Sequence, residues 1–164
     1  MKKILLLLLI SVPALAQDGF KTVDGKVVWE RIFSSSTDVN ALIAANEKLE
    51  ILASQDNIYK GVGEGVKQTS PSGSLRMNCE TSFEFTITVA PEGYLVRVTD
   101  FMFLEKYGPM QMRTVPNSLE KYYTEYGKIR DSAKTQTDLG FVDTFLTGVF
   151  SNQPVQEPES ITYN

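Results

Sequence analysis

The chain has no histidine and one cysteine, Cys79, in 164 residues. Without histidine there is no Ser-His-Asp or Cys-His arrangement, no side chain that titrates naturally near neutral pH, and no imidazole ligand for zinc. A single cysteine excludes an intramolecular disulfide and a cysteine-built zinc site. Cys79 is expected to be a small buried hydrophobe, with intermolecular pairing or thiolate chemistry as the sharper alternative. Positive charge is also scarce. Sixteen Lys and Arg stand against 20 Asp and Glu, a poor balance for neutralising a phosphate backbone, so nucleic acid is not an expected partner.

The N-terminus is informative. Lys2 and Lys3 precede an apolar run over residues 4–10 that is too short to span a bilayer, and Ala14-Leu15-Ala16 follows Pro13. This is the layout of a cleavable secretory signal peptide, with cleavage after Ala16. The expected organisation is a signal peptide over 1–16, a single α+β domain over 17–152 and a flexible tail over 153–164, where Pro154 and Pro158 interrupt a mostly polar stretch. The expected location is periplasmic or secreted. Loss of Lys2 and Lys3 makes the remaining chain still more acidic.

Within the domain, residues 26–33 (KVVWERIF) read as a first strand after the Asp24-Gly25 turn signal. The cluster over 34–38 offers N-caps for a helix starting near Val39, with Val39, Leu42, Ile43 and Leu49 on one face; residues 49–53 could equally be extended. Residues 68–74 (QTSPSGS) read as a polar loop. Phe83, Phe85, Ile87 and Val89 alternate with Glu84, Thr86 and Thr88, a half-buried strand. Pro91-Glu92-Gly93 is a turn, with proline suited to its first central position and glycine to the left-handed one, and residues 94–104 return as the second strand of a hairpin. The apolar phase of that strand shifts at Thr99-Asp100, which predicts a bulge, an exit from the sheet or a sheet covered on both faces. Beyond Pro116, Leu119, Tyr122, Tyr123, Tyr126 and Ile129 form a helical stripe capped by Asn117 or Ser118. A second run carries Leu139, Val142, Phe145, Leu146, Val149 and Phe150, with Thr137 or Asp138 as cap, and the two runs read as one interrupted helix or as two.

Residues 58–68 (IYKGVGEGVKQ) place Gly61, Gly63 and Gly65 at every second position. A phosphate-cradling loop would set its glycines between a strand and a helix; here the third comes one residue early for G-x-G-x-x-G and no helix follows. The spacing instead predicts a strand with one face bare except for Tyr59, so that a large side chain or another backbone comes close, or the sheet bends.

With that strand, the signal peptide, KVVWERIF, one helix, the hairpin SFEFTITVAPEGYLVRVTDFMF and a helical C-terminus, the chain resembles a bacterial family of secreted domains of unknown function described as having a TATA-binding-protein-like fold. The resemblance implies a curved antiparallel sheet with helices on one face, in β-α-β-β-β-α order. It implies no functional residues, and the fold name does not imply DNA binding.

No calcium loop or nucleophile elbow occurs. Asp138 with Asp143 and Glu120 with Glu125 miss i, i+3 or i+4 spacing and read as solvated helix positions. No catalytic residue, cofactor or metal ligand is therefore expected. The candidates for a ligand or partner surface are Trp29, Tyr59, Tyr122, Tyr123 and Tyr126, whose rings could equally pack the core. Two function classes remain. One is a non-catalytic module that meets an envelope or extracellular protein, a glycan or a small ligand; the other binds an apolar small molecule in a pocket between the sheet and the C-terminal helices. A filled core with an exposed apolar patch favours the first, a ligand-sized internal pocket the second.

Overall fold

The computed structural model describes residues 19–34, 38–68 and 74–151. The signal-peptide stretch, the tail over 153–164 and most of the polar loop over 68–74 lie outside them. In chain order the strands are β1 (Phe20–Val23), β2 (Lys26–Phe33), β3 (Leu49–Gln55), β4 (Ile58–Lys67), β5 (Glu80–Ala90), β6 (Gly93–Tyr107), β7 (Arg113–Ser118), β8 (Thr124–Glu125) and β9 (Lys128–Ile129). Seven make one antiparallel sheet in the order β1-β2-β6-β5-β4-β3, with β7 also paired to β6. The short β8 and β9 form a separate hairpin.

At the centre, β5 and β6 pair as the alternation requires, and Phe83, Phe85, Ile87, Tyr94, Val96 and Val98 all face one core. The turn differs from expectation. Gly93 is not its left-handed central residue but the first residue of β6, paired with Ala90. Its φ is +150°, and a Cβ there would lie 2.0 Å from the Phe33 carbonyl oxygen, so only glycine fits without displacing β2.

The phase shift in β6 is a bulge. Asp100 and Phe101 together oppose Phe83, and Asp100 has φ +50°. The extra residue returns Phe101 and Phe103 to the face that holds Val96 and Val98, so neither a strand exit nor a two-sided sheet is needed. It also turns Glu105 inward.

The glycine strand is β4. Gly61 pairs with Phe85 and Gly63 with Phe83, and a Cβ would stand 2.4 Å from the Phe85 ring at the first and 2.6 Å from the Phe83 ring at the second. The bare face is thus covered by two phenyl rings from the neighbouring strand. Gly65 has a different role: at φ +62° it forms a bulge opposite β5 that brings Val66 into the core.

Three helices cover the same face. They are α1 (Val39–Ala44), α2 (Leu119–Tyr123) and α3 (Ala133–Phe150). Asp38, Ser118 and Ser132 cap them, each side chain accepting a backbone N–H from the first turn. Leu139, Val142, Leu146 and Phe150 carry α3 onto the sheet at helical spacing. The Phe150 ring lies 5.3 Å from that of Phe85, 6.1 Å from Phe83 and 6.3 Å from Trp29.

Several sequence expectations change. KVVWERIF is the second strand, because Asp24-Gly25 closes a hairpin on β1 with both residues at positive φ. β3 and β7 add two more strands to the implied β-α-β-β-β-α order, and Leu49 lies in β3 rather than on α1. The aromatic stripe is not one helix: α2 stops at Tyr123, and Tyr126 sits at the tip of the β8–β9 hairpin with φ +50°. α3 is capped by Ser132, five to six positions before the expected caps.

The two aspartates of α3 are not solvated. Asp138 and Asp143 are buried, the first accepting a hydrogen bond from Tyr123 Oη at 3.0 Å. The second accepts from Trp29 Nε1 at 2.8 Å and pairs with Arg31 at 2.8 Å. They tie the helix to α2 and to the sheet. Burial and the Asp138 charge push the Tyr123 phenol up to about 12, so it stays a donor at any physiological pH. Glu120 also has an intramolecular role, accepting the Val27 backbone N–H at 2.8 Å, whereas Glu125 is exposed.

Candidate functional site

At the end of the sheet remote from the β5–β6 turn, the close of β4, the start of β5 and the last residues of β6 meet the 3-10 turn Leu75–Asn78 and the first turn of α3. Between them lies a groove of about 880 Å³. Its inner wall is built around Glu105, which the Asp100 bulge directs toward the core.

Glu105 is a buried carboxylate with many donors. Tyr122 Oη donates to Oε1 at 2.7 Å, Asn117 Nδ2 donates to Oε2 at 3.0 Å, and the Tyr107 hydroxyl also donates to Oε2. Arg76 Nε lies 3.5 Å from Oε1, and its guanidinium stacks on the Tyr122 ring at 3.8 Å. Lys121 reaches Asn117 Oδ1 at 2.6 Å and completes the chain of contacts. Burial is the largest single influence and raises the Glu105 pKa. The Tyr107 and Tyr122 hydrogen bonds, with the charges of Arg76 and Lys121, together outweigh it and hold the carboxyl below its ordinary value. The Tyr107 phenol is pushed up to about 12 by its bond to Glu105.

This arrangement stores stability in the ionised form. Because the folded value lies below the ordinary 4.5, the contribution is complete above that value and is lost as pH falls through the lower folded one. The melting temperature of the native chain should therefore drop more steeply from about pH 6 to about pH 3 than that of Glu105→Gln. Equal pH slopes would show that Glu105 is not held ionised by its neighbours.

Cys79 borders the same groove and is half-buried, not the enclosed hydrophobe expected from its compartment. Burial, with the nearby Glu105 charge, raises its pKa, so the thiol stays protonated and is a weak nucleophile. Glu105 accepts three side-chain hydrogen bonds and faces Arg76, and a carboxyl held below its ordinary pKa is a weak base. Among the described residues no three His, Cys, Asp or Glu side chains gather as metal ligands would, and no helix is long and apolar enough to cross a membrane.

Of the five aromatic candidates, the structure brings only Tyr122 to the groove. Trp29 and Tyr123 are buried in the core, and Tyr59 packs against it from β4. Tyr126 is 96 % exposed on its own hairpin. Glu105, Arg76 and Tyr107 were not singled out in the sequence. Continuing the β6 alternation through a one-residue bulge finds Glu105; nothing local in the sequence finds Arg76.

Comparison with solved structures gives two matches, both to Bacteroidetes proteins. The chain is similar to a DUF4468 family protein from Bacteroides ovatus, at 19% identity and a TM-score of 0.47, covering 85% of this chain and 94% of that one. It is also similar to a TBP-like protein from Parabacteroides distasonis, at 14% identity and a TM-score of 0.49, covering 79% and 94%. No family model and no curated protein matches the chain. At such identities and TM-scores the likeness carries nothing about function; the α+β architecture, an open antiparallel sheet with a C-terminal helix, is read from this chain's own strands and helices.

Proposed function

We infer that the protein is a non-catalytic binding module, exported to the periplasm or the medium, that recognises a partner through the groove at the Glu105 end of the sheet. The observation that carries this reading is a concentration of exposed apolar side chains there. Leu75 is 90 % exposed and Tyr107 49 %, both on the groove wall. Met110 and Met112 flank Gln111, another lining residue, and are 92 % and 85 % exposed. Water-facing apolar groups gathered round a recess mark an interaction site more often than a chance of packing. The turn that presents Met110 and Met112 is strained, with Met110 at φ +56° and Gln111 at φ +55°. Non-glycine residues hold that conformation at a cost, and such positions cluster at ligand contacts.

The packing does not favour an apolar pocket between the sheet and the C-terminal helices. Phe83 and Phe85 occupy the glycine face, and Val142, Leu146 and Phe150 have no exposed surface. The test is capture of partners from the native envelope and medium fractions with three chains: native, Leu75→Asp/Met112→Asp, and Ile32→Asp. Ile32 is 75 % exposed on β2, and serves as control. The reading expects a partner held by the native and Ile32→Asp chains and lost by the groove variant; retention by the groove variant contradicts it.

A further inference from the structure

The groove differs in charge from the molecule that carries it. Its lining includes the cations Lys67, Arg76, Lys106 and Lys134, and the anions Glu80 and Glu105. Glu105 is matched by Arg76 at 3.5 Å and Glu80 by Lys106 at 3.6 Å. Among the described residues, Lys67 and Lys134 form no ion pair with a carboxylate, although Lys67 stands across the ladder from Glu80. Two positive charges are thus left over in a recess of a chain whose formal net charge is −4. Lys134 lies in the first turn of α3, where the helix dipole adds further positive potential.

We propose that the groove binds an extended, acidic peptide segment of a partner protein, with its carboxylates at Lys67 and Lys134 and its apolar side chains on Leu75, Tyr107 and Met112. This rests on the groove being the recognition surface, and adds the chemistry of what it recognises. Three observations favour a peptide. The volume lies within the range of about 300–1,000 Å³ usual for ligand sites, and half of the lining, including Lys67, Leu75, Tyr107 and Gln111, is exposed, which leaves the recess open to an extended chain. Asn78 and Gln111 in the lining offer amide donors and acceptors suited to a peptide backbone. A recess with carboxylates in its walls is also a poor fit to a flat anionic lipid surface, which would leave it unfilled. Charge complementarity sets the sign of the partner, and the flanking methionines adapt to varied apolar side chains.

The experiment selects a displayed random decapeptide library against the full chain. The enriched pool is then measured against native, Lys67→Gln/Lys134→Glu and Leu75→Asp/Met112→Asp chains, with thermal melts as a folding check. Lys134→Glu places an acid in a helical first turn, which favours folding. The proposal expects enrichment of Asp and Glu beside apolar residues. It also expects affinity about tenfold weaker in the lysine variant and weakening with added salt. An enriched pool without acidic bias that is still lost in Leu75→Asp/Met112→Asp overturns the acidic peptide but leaves the groove as the recognition surface. A pool unaffected by either variant overturns both. Absence of enrichment, with binding to phosphatidylglycerol vesicles that the lysine variant loses, overturns the peptide in favour of a lipid surface.

Discussion

Replacing Gly61 with alanine is expected to lower the unfolding free energy by about 3 kcal/mol, and Gly63→Ala by about 2 kcal/mol. The direction is informative because the opposite is the ordinary result: at a strand position without positive φ, alanine restricts the unfolded chain and stabilises by about 0.5–1 kcal/mol. Here the added methyl has no room. At Gly63 the three atoms nearest to it all belong to the Phe83 ring; at Gly61 it meets the Phe85 ring at 2.4 Å and the Glu50 carbonyl oxygen at 2.2 Å. Phe83 cannot swing away freely, since it stacks on Phe101 at 5.9 Å and meets Phe150 edge-on. A double-mutant cycle separates the two sites. Phe83→Leu should relieve Gly63→Ala, with a coupling of about 1 kcal/mol or more. Phe85→Leu should relieve Gly61→Ala only in part, because the backbone of β3 remains in the way. Urea denaturation measures the native chain and the six variants, and a stabilising Gly63→Ala would remove the ring-over-glycine account of the sheet.

Asp143→Ala should cost about 2–3 kcal/mol and Asp143→Asn about 1 kcal/mol. The carboxylate holds a buried indole N–H and a guanidinium together, and its removal leaves Trp29 Nε1 without an acceptor inside the core. The Arg31 side chain keeps 34 % of its surface exposed, so solvent moderates the loss and the figure falls below that for a fully buried pair. Asparagine keeps an acceptor for the indole and loses the charge. Trp29→Phe in the Asp143→Ala background should then cost less than it does in the native chain, as expected for two residues in one network. Additive costs in chemical denaturation would mean that the two groups act independently.

These contacts mark how far the sequence could be read. The hairpin, the glycine strand and the bulge near Asp100 are local, because alternation and glycine spacing record which face of a strand is buried. The helices were harder. Leu119, Tyr122, Tyr123, Tyr126 and Ile129 keep helical spacing, yet the Tyr126-Gly127 turn ends the pattern, and tertiary contacts then decide the rest. Asp138 and Asp143 look solvated when only their spacing is counted. Their partners Tyr123, Trp29 and Arg31 come from distant elements, and no periodicity reports a hydrogen bond across the fold. The candidate site has the same character. Tyr122 was visible as an amphipathic aromatic, but Glu105 became a focus only through an upstream bulge, and Arg76 only through the path of a 3-10 turn. Trp29 and Tyr123, equally eligible by type, went to the core because aromatic area is more stabilising there.

The claim that the molecule works by binding through the Glu105 end of its sheet is tested most directly by site-specific photocrosslinking in the native organism. A photoreactive residue would replace Met110, 92 % exposed beside the groove, or Ile32, 75 % exposed on β2. The account predicts a discrete protein adduct from position 110 and none from position 32. An adduct from position 32 alone, or equal adducts from both, would contradict it.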